Sequence, residues 1–144
     1  MKKIFKVVLG LLVLGFTYGA NAADTIKIGA LVAATGPASF LGDPELKTLE
    51  LYVDKINAEG GVLGKKLELV AYDTGASPKK ATTFVKRLIS QDKVVAILGG
   101  SASGETMAII PFIQKAKIPL VSMAGSIKIV QPVKSYVFKT PATD

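Results

Sequence analysis

The residues able to do chemistry sit in short loops. Gly99-Gly100-Ser101-Ala102-Ser103-Gly104 is small and hydroxyl-bearing. It lies between two apolar runs, Val94 to Leu98 and Met107 to Ile113. The first run is too short for a helix and reads as a buried strand, while the second reads as helix. A strand–loop–helix of this composition gathers backbone N–H groups and hydroxyls at one spot, where the helix dipole favours an anion. The chemistry predicted is the grip of a small carboxylate. Taken alone, the loop fits an ordinary turn better, with Gly for geometry and Ser103 as the helix N-cap. A second pattern is Asp73-Thr74-Gly75. It matches the tripeptide of aspartic proteases, in which two Asp share one proton, and one copy per chain would suit a dimeric enzyme. Asp73 fits as well as a strand-end residue that orders its own loop by hydrogen bonding.

Composition removes whole classes of function. The 144 residues contain no Cys, His or Trp. Disulfides, His or thiolate metal sites, and Ser-His-Asp or Cys-His catalysis are therefore excluded within the chain. The Gly-rich loop lacks both the Gly-Lys-Ser/Thr and the G-x-G-x-x-G spacing of phosphate cradles. The formal charge is +7, but Lys2, Lys3 and Lys6 belong to a leader; without them 15 basic residues face 11 acidic ones, leaving +4. The lysines are scattered and not interleaved with aromatics, so no nucleic-acid partner is implied.

Residues 1–22 read as a secretory signal peptide. Met1-Lys2-Lys3 is a basic start, Val7 to Phe16 an apolar core of ten residues, and Ala20-Asn21-Ala22 a small-x-small site with cleavage after Ala22. The apolar core is well short of the ~20 residues a membrane span needs. No lipobox Cys is present. The remainder, 23–144, is expected to be exported, into a Gram-negative periplasm.

The elements that must position these loops follow in order. Ile26 to Ala33 is a first strand, and Ala34-Thr35-Gly36-Pro37-Ala38-Ser39 a loop. Asp43 caps a helix with Pro44 at its first position, and Leu46, Leu49, Val53 and Ile56 form its apolar face. Gly60-Gly61 stops it. Lys66 to Tyr72 is a second strand; Ser77-Pro78 repeats the cap-plus-Pro signal before a helix lined by Ala81, Phe84, Val85, Leu88 and Ile89, with a turn over Ser90 to Lys93. Val94 to Leu98 is the third strand. A third helix runs from about Gly104 to Ala116, kinked or split by Pro111, with Met107 in the core and Glu105 facing away from the anion site. Ile118 to Val121 and Tyr136 to Lys139 are short fourth and fifth strands, with Ile127 to Val133 weakly helical between them. Strands alternating with helices give a doubly wound α/β domain: a parallel sheet with helices on both faces. Ligands of such sheets bind outside the carboxyl ends of the strands. Those ends carry Thr35-Gly36-Pro37, Asp73-Thr74-Gly75, Gly99 to Ser103 and Ser122 to Ser126. This convergence favours a ligand site over a set of unrelated turns, and the α/β pattern argues against the nearly all-β proteases.

Several segments together resemble the periplasmic leucine/isoleucine/valine-binding protein family of ABC importers. They are Ile26-Lys27-Ile28-Gly29 with Thr35-Gly36-Pro37; Asp54 to Val70, with its block Ile56-Asn57-Ala58-Glu59-Gly60-Gly61-Val62-Leu63-Gly64; Tyr72-Asp73 with Ser77-Pro78-Lys79-Lys80-Ala81; and Ile118 to Ser122 with Phe138-Lys139-Thr140. The resemblance covers Ile26 to Asp144. It implies lobe 1 of a two-lobed protein more than twice as long, a monomer with no cofactor and no enzymatic activity. Ligand closes two such lobes like a hinged trap, and the closed form docks on a membrane permease.

Site residues carry over position by position. The family's carboxylate-holding Ser, after the third strand, matches Ser103. The backbone carbonyl offered to a ligand ammonium, after the fourth strand, matches Ala124, and the hydroxyl two residues on matches Ser126. Ser101 lines the same pocket through its backbone. Leu41 stands where leucine-type members often carry Tyr, and with Phe40 is placed to cover the ligand. Ser122 to Ser126 also departs from the usual Ser-Pro-x-Ala-Thr-x-Pro. Similar departures occur in relatives that take aromatic carboxylates or other small acids. The resemblance therefore implies the carboxylate clamp ahead of a particular amino acid. A ligand sensor built on the same lobe is the further alternative.

Overall fold

A computed structural model of the chain describes residues 25–143. The expected signal peptide lies outside the described residues. Five parallel strands form one sheet: β1 Ile26–Val32, β2 Leu67–Asp73, β3 Ala96–Gly99, β4 Leu120–Ser122 and β5 Val137–Lys139. Their spatial order is β2-β1-β3-β4-β5. Three α-helices alternate with them: α1 Ser39–Ala58, α2 Pro78–Arg87 and α3 Ser103–Ala116. The chain winds outward from β1 to β2, then crosses back to β3 and on to β5. Right-handed crossovers therefore place α1 on one face and α2 with α3 on the other. The strand order reverses between β1 and β3, which makes their carboxyl ends the crevice of the sheet. No helix among the described residues is long and apolar enough to cross a membrane.

The core lies under α2 and α3. Paired residues Ile97, Leu120 and Val137 point to that face and are buried, against Val85, Leu88, Ile109 and Ile113. The next row across the sheet is Ala30, Leu98, Val121 and Phe138, also paired in register, and it faces α1. Ala30 is fully buried, Leu98 and Val121 are half-buried, and Phe138 is 56% exposed. One helix covers β1 and β2 but does not reach β5. The third strand's apolar run is for that reason not uniformly buried.

Several boundaries differ from the sequence reading. The first helix begins at Ser39, so Asp43 is inside it and pairs with Lys47 at 2.7 Å instead of capping it. Tertiary packing overrides the Asp-Pro signal: Gly42 lets the first turn lie against β1, where a Cβ would come within 2.3 Å of the Ala33 backbone. Ser77 does cap α2, accepting from the Lys80 N–H at 3.4 Å. The expected turn after α2 is instead a π-helical turn, Leu88–Asp92. Pro111 does not split α3, which runs unbroken, and Met107 is 40% exposed. Between β4 and β5 only Ile127–Ile129 is helical, as a 3₁₀ turn.

Candidate functional site

At the crevice, β3 presses close to β1. Gly99 has φ +119°, and a Cβ there would lie 2.0 Å from the Leu31 carbonyl oxygen. Only glycine fits such a position. The chain then turns through Gly100, Ser101 and Ala102 into α3. Ala102 is the N-cap and Ser103 the first helical residue. The expectation of Ser103 as N-cap is therefore corrected, while glycine does supply the geometry of the turn, and Ser103 is left for another contact. Its hydroxyl is directed across to the next loop, where Ser103 Oγ accepts the Ser126 N–H at 3.3 Å. Both serines are half-buried. The first N–H groups of α3 have no intrahelical acceptor, and they lie beside this contact.

A second tie lies deeper. The hydroxyls of Thr106 and Ser122, both fully buried, are 3.1 Å apart. Ser122 Oγ also accepts the Ala124 N–H at 3.1 Å. Ala124 is buried, and no hydrogen bond reaches its carbonyl among the described residues. The β3 and β4 loops are thus joined at two depths. Three of the sequence-predicted residues, Ser103, Ala124 and Ser126, come together there. Such a spot offers a hydroxyl, helix N–H donors and a free carbonyl acceptor, which suits an anion with a cation beside it.

Ser101 does different work. It is 3% exposed; its hydroxyl accepts the Ala33 N–H at 2.9 Å and donates to Glu45. That hydroxyl links the end of β1, α1 and the β3 loop, and with its proton committed to Glu45 it has none to offer a carboxylate, so the residue's remaining donor is its backbone. Leu41 stands apart in the first turn of α1, 39% exposed, with Phe40 more exposed beside it.

Acidic groups underlie the site. Glu105 is fully buried and turned inward, accepting the Ala102 N–H at 2.9 Å and the Thr74 hydroxyl. Burial pushes the Glu45 carboxyl above its ordinary value; the Ser101 hydrogen bond opposes this and the Glu105 charge adds to it. Burial also acts upward on Asp73, but hydrogen bonds from the Thr35 hydroxyl, the Gly75 N–H and the Thr35 N–H, with Lys80 nearby, outweigh it and hold the carboxyl low. Asp73 thus orders the loops after β1 and β2. The catalytic alternative needs a nearly all-β frame, whereas Asp73 here ends a parallel strand. Sequence reasoning placed Thr74 and Ser122 in the rim loops without assigning them a role, and it did not single out Glu45 or Thr106 as groups beneath the candidate site. Hydroxyls just inside the elements flanking each loop were the available signal.

The sequence and the fold both have relatives. The family model described as periplasmic binding protein matches residues 25–144. A Leu/Ile/Val-binding protein homolog 7 of Brucella abortus is 38% identical over 100 residues, covering 69% of this chain and 25% of that protein. The Leu/Ile/Val-binding protein of Escherichia coli K12 is 35% identical over 97 residues, 67% of this chain and 26% of that protein. The chain spans about a quarter of the length of these curated relatives. Among solved structures, the branched-chain amino acid transporter substrate-binding protein LivJ of Streptococcus pneumoniae, in complex with isoleucine, matches with a TM-score of 0.79 and 34% identity, over 83% of this chain and 34% of that one. An ABC transporter solute-binding protein of Rhodopseudomonas palustris, in complex with 3,4-dihydroxybenzoic acid, matches with a TM-score of 0.75 and 31% identity, over 83% of this chain and 32% of that one. With its family model matched along all the described residues and its parallel sheet shared with these structures, the chain belongs to the periplasmic binding protein family.

Proposed function

We propose that residues 23–144 form one lobe of a substrate-binding protein that serves an ABC importer. It captures a small carboxylate-bearing ligand in the periplasm and hands it to a membrane permease. The ligand is a branched-chain or related amino acid. The observation that carries this reading is the meeting of Ser103 and Ser126 across the loops that follow β3 and β4, with Ala124 beside them in the chain. In this reading Ser103, Ser126 and the first N–H groups of α3 hold the carboxylate, and the Ala124 carbonyl accepts from the ammonium. Ser101 contributes its backbone, and Leu41 covers the ligand from α1. The rest of the ligand's contacts come from a second lobe, which the greater length of the relatives accommodates. The protein works as a monomer, without cofactor or catalysis.

One neighbour binds an aromatic acid at nearly the same similarity, and this supports a second reading with the same carboxylate clamp. The test is thermal unfolding of the complete protein, without its leader, against branched-chain amino acids and against benzoate-type acids. Ligand at 100 times its dissociation constant adds about 2.7 kcal/mol. A shift with the amino acids alone is the expected result. A shift with aromatic acids alone keeps the clamp and replaces the ligand, and no shift with either overturns both readings.

A further inference from the structure

Glu105 and Thr106 are neighbours in sequence and fasten α3 in opposite directions. Thr106 reaches the β4 side through Ser122. Glu105 reaches back past β1 to the end of β2, where Thr74 lies. Thr74 is itself fixed, since its N–H donates to the Val32 carbonyl at 2.7 Å and its hydroxyl contacts the same oxygen at 3.1 Å. The other oxygen of Glu105 takes the Ala102 N–H at 2.9 Å. Gly100 leaves room for this carboxylate; a Cβ there would sit 2.7 Å from Glu105 Cγ.

A fully buried carboxylate is costly unless it is paired or richly hydrogen-bonded. Among the described residues no Lys or Arg forms an ion pair with Glu105. An apolar residue would fill the same volume without that cost. What the carboxylate adds is a charge-assisted bond to one loop N–H. That bond removes the Ala102 N–H from any competition for an anion and fixes the loop one residue before Ser103.

We propose that Glu105 is a positioning residue that pre-organises the β3–α3 loop, so that the Ser103 hydroxyl meets the Ser126 N–H before any ligand arrives. The link to ligand rests on the function proposed above; the loop arrangement does not. Acting through Ala102, Glu105 needs no contact with ligand.

Amide hydrogen exchange of the ligand-free protein separates this role from general stabilisation. In Glu105→Leu the Ala102 amide loses at least about tenfold of its protection, as expected for a lost charge-assisted bond, while Ala30 and Leu31 in β1 keep theirs. Glu105→Gln keeps an acceptor for Ala102 and stays within about threefold of the parent. Binding of L-isoleucine, measured by calorimetry, follows the same order. Unchanged exchange at Ala102 in Glu105→Leu overturns the proposal, and so does an equal loss across β1. If Glu105→Leu does not fold, Thr74→Val serves instead: cutting the tie to β2 raises Ala102 exchange at least about threefold, and no rise overturns the proposal. If the parent does not bind L-isoleucine, the ligand reading fails, while the exchange data still decide the role of Glu105.

Discussion

The Ser126 N–H donates to the Ser103 hydroxyl across 3.3 Å, joining the loops that follow β3 and β4. The two residues are 23 apart in sequence. Their meeting results from the parallel β3–β4 pairing, Ile97 with Leu120 and Leu98 with Val121, which brings both strand ends to one rim. A hydroxyl held this way has its oxygen occupied by one donor and its own proton free to donate. That geometry suits a carboxylate arriving from solvent.

Ser103→Ala removes this donor. A hydrogen bond to a charged group contributes about 1.5–3 kcal/mol, so affinity for L-isoleucine falls roughly ten- to hundredfold. The fold loses little, because the contact is only part-buried and Ser126 lies near the rim, where water can replace the lost acceptor. Calorimetric titration alongside thermal unfolding checks both halves. A drop in unfolding temperature with unchanged affinity would make the contact purely structural.

Thr106→Val is expected to do the reverse. Its hydroxyl is fully buried and touches Ser122 at 3.1 Å and the Ala102 carbonyl at 3.1 Å. Valine fills the space but leaves buried polar partners unmatched, at about 1–3 kcal/mol. Urea unfolding reads that loss directly. Thr106→Ser keeps the hydroxyl and should recover most of the difference.

Asp73 and Glu45 give opposite pH responses. The Asp73 carboxyl is held below its ordinary 3.8, so it contributes stability above that pH and loses it as pH falls through its lowered value. Glu45 is raised above 4.5, so its ionised form costs stability at neutral pH, and protonation relieves that cost as pH falls toward 4.5. Urea midpoints measured between about pH 3 and 7 test this. Asp73→Asn should weaken the protein at neutral pH and flatten the acid limb. Glu45→Gln should be neutral or stabilising at neutral pH. A stabilising Asp73→Asn would show that the sign is wrong.

The alternation of strands and helices, the parallel sheet and the four loops at its rim were legible because each rests on local pattern. Ser77-Pro78 capped its helix because nothing else competed for that start. Asp43-Pro44 carried the same signal and failed, because Gly42 allowed an extra turn to dock on β1. No local pattern contains Ala33, so that docking was invisible in sequence. The same limit hid the acids. Glu45 and Ser101 are 56 residues apart, and Thr74 and Glu105 are 31 apart. Only the strand order places them together. Ser103, Ala124 and Ser126 were nominated through family resemblance; spacing alone marked the loops but not which hydroxyl turned toward its neighbour.

Gly99→Ala tests the crevice itself. Gly99 and Gly60 both have positive φ, +119° and +106°. Conformational strain alone should therefore cost the two alanine variants similar amounts, about 1–3 kcal/mol. The difference lies in space: nothing comes within 4 Å of a Cβ at Gly60, whereas at Gly99 it meets the Leu31 carbonyl oxygen at 2.0 Å. That oxygen belongs to β1, an interior strand paired on both sides, and cannot move without breaking the sheet. Gly60→Ala should fold with a modest loss. Gly99→Ala should lose several kcal/mol more or fail to fold, since overpacking against backbone has no rotamer to relieve it. Equal urea midpoints for the two variants would mean that β3 does not approach β1 this closely, and the loop geometry built on that approach would fall with it.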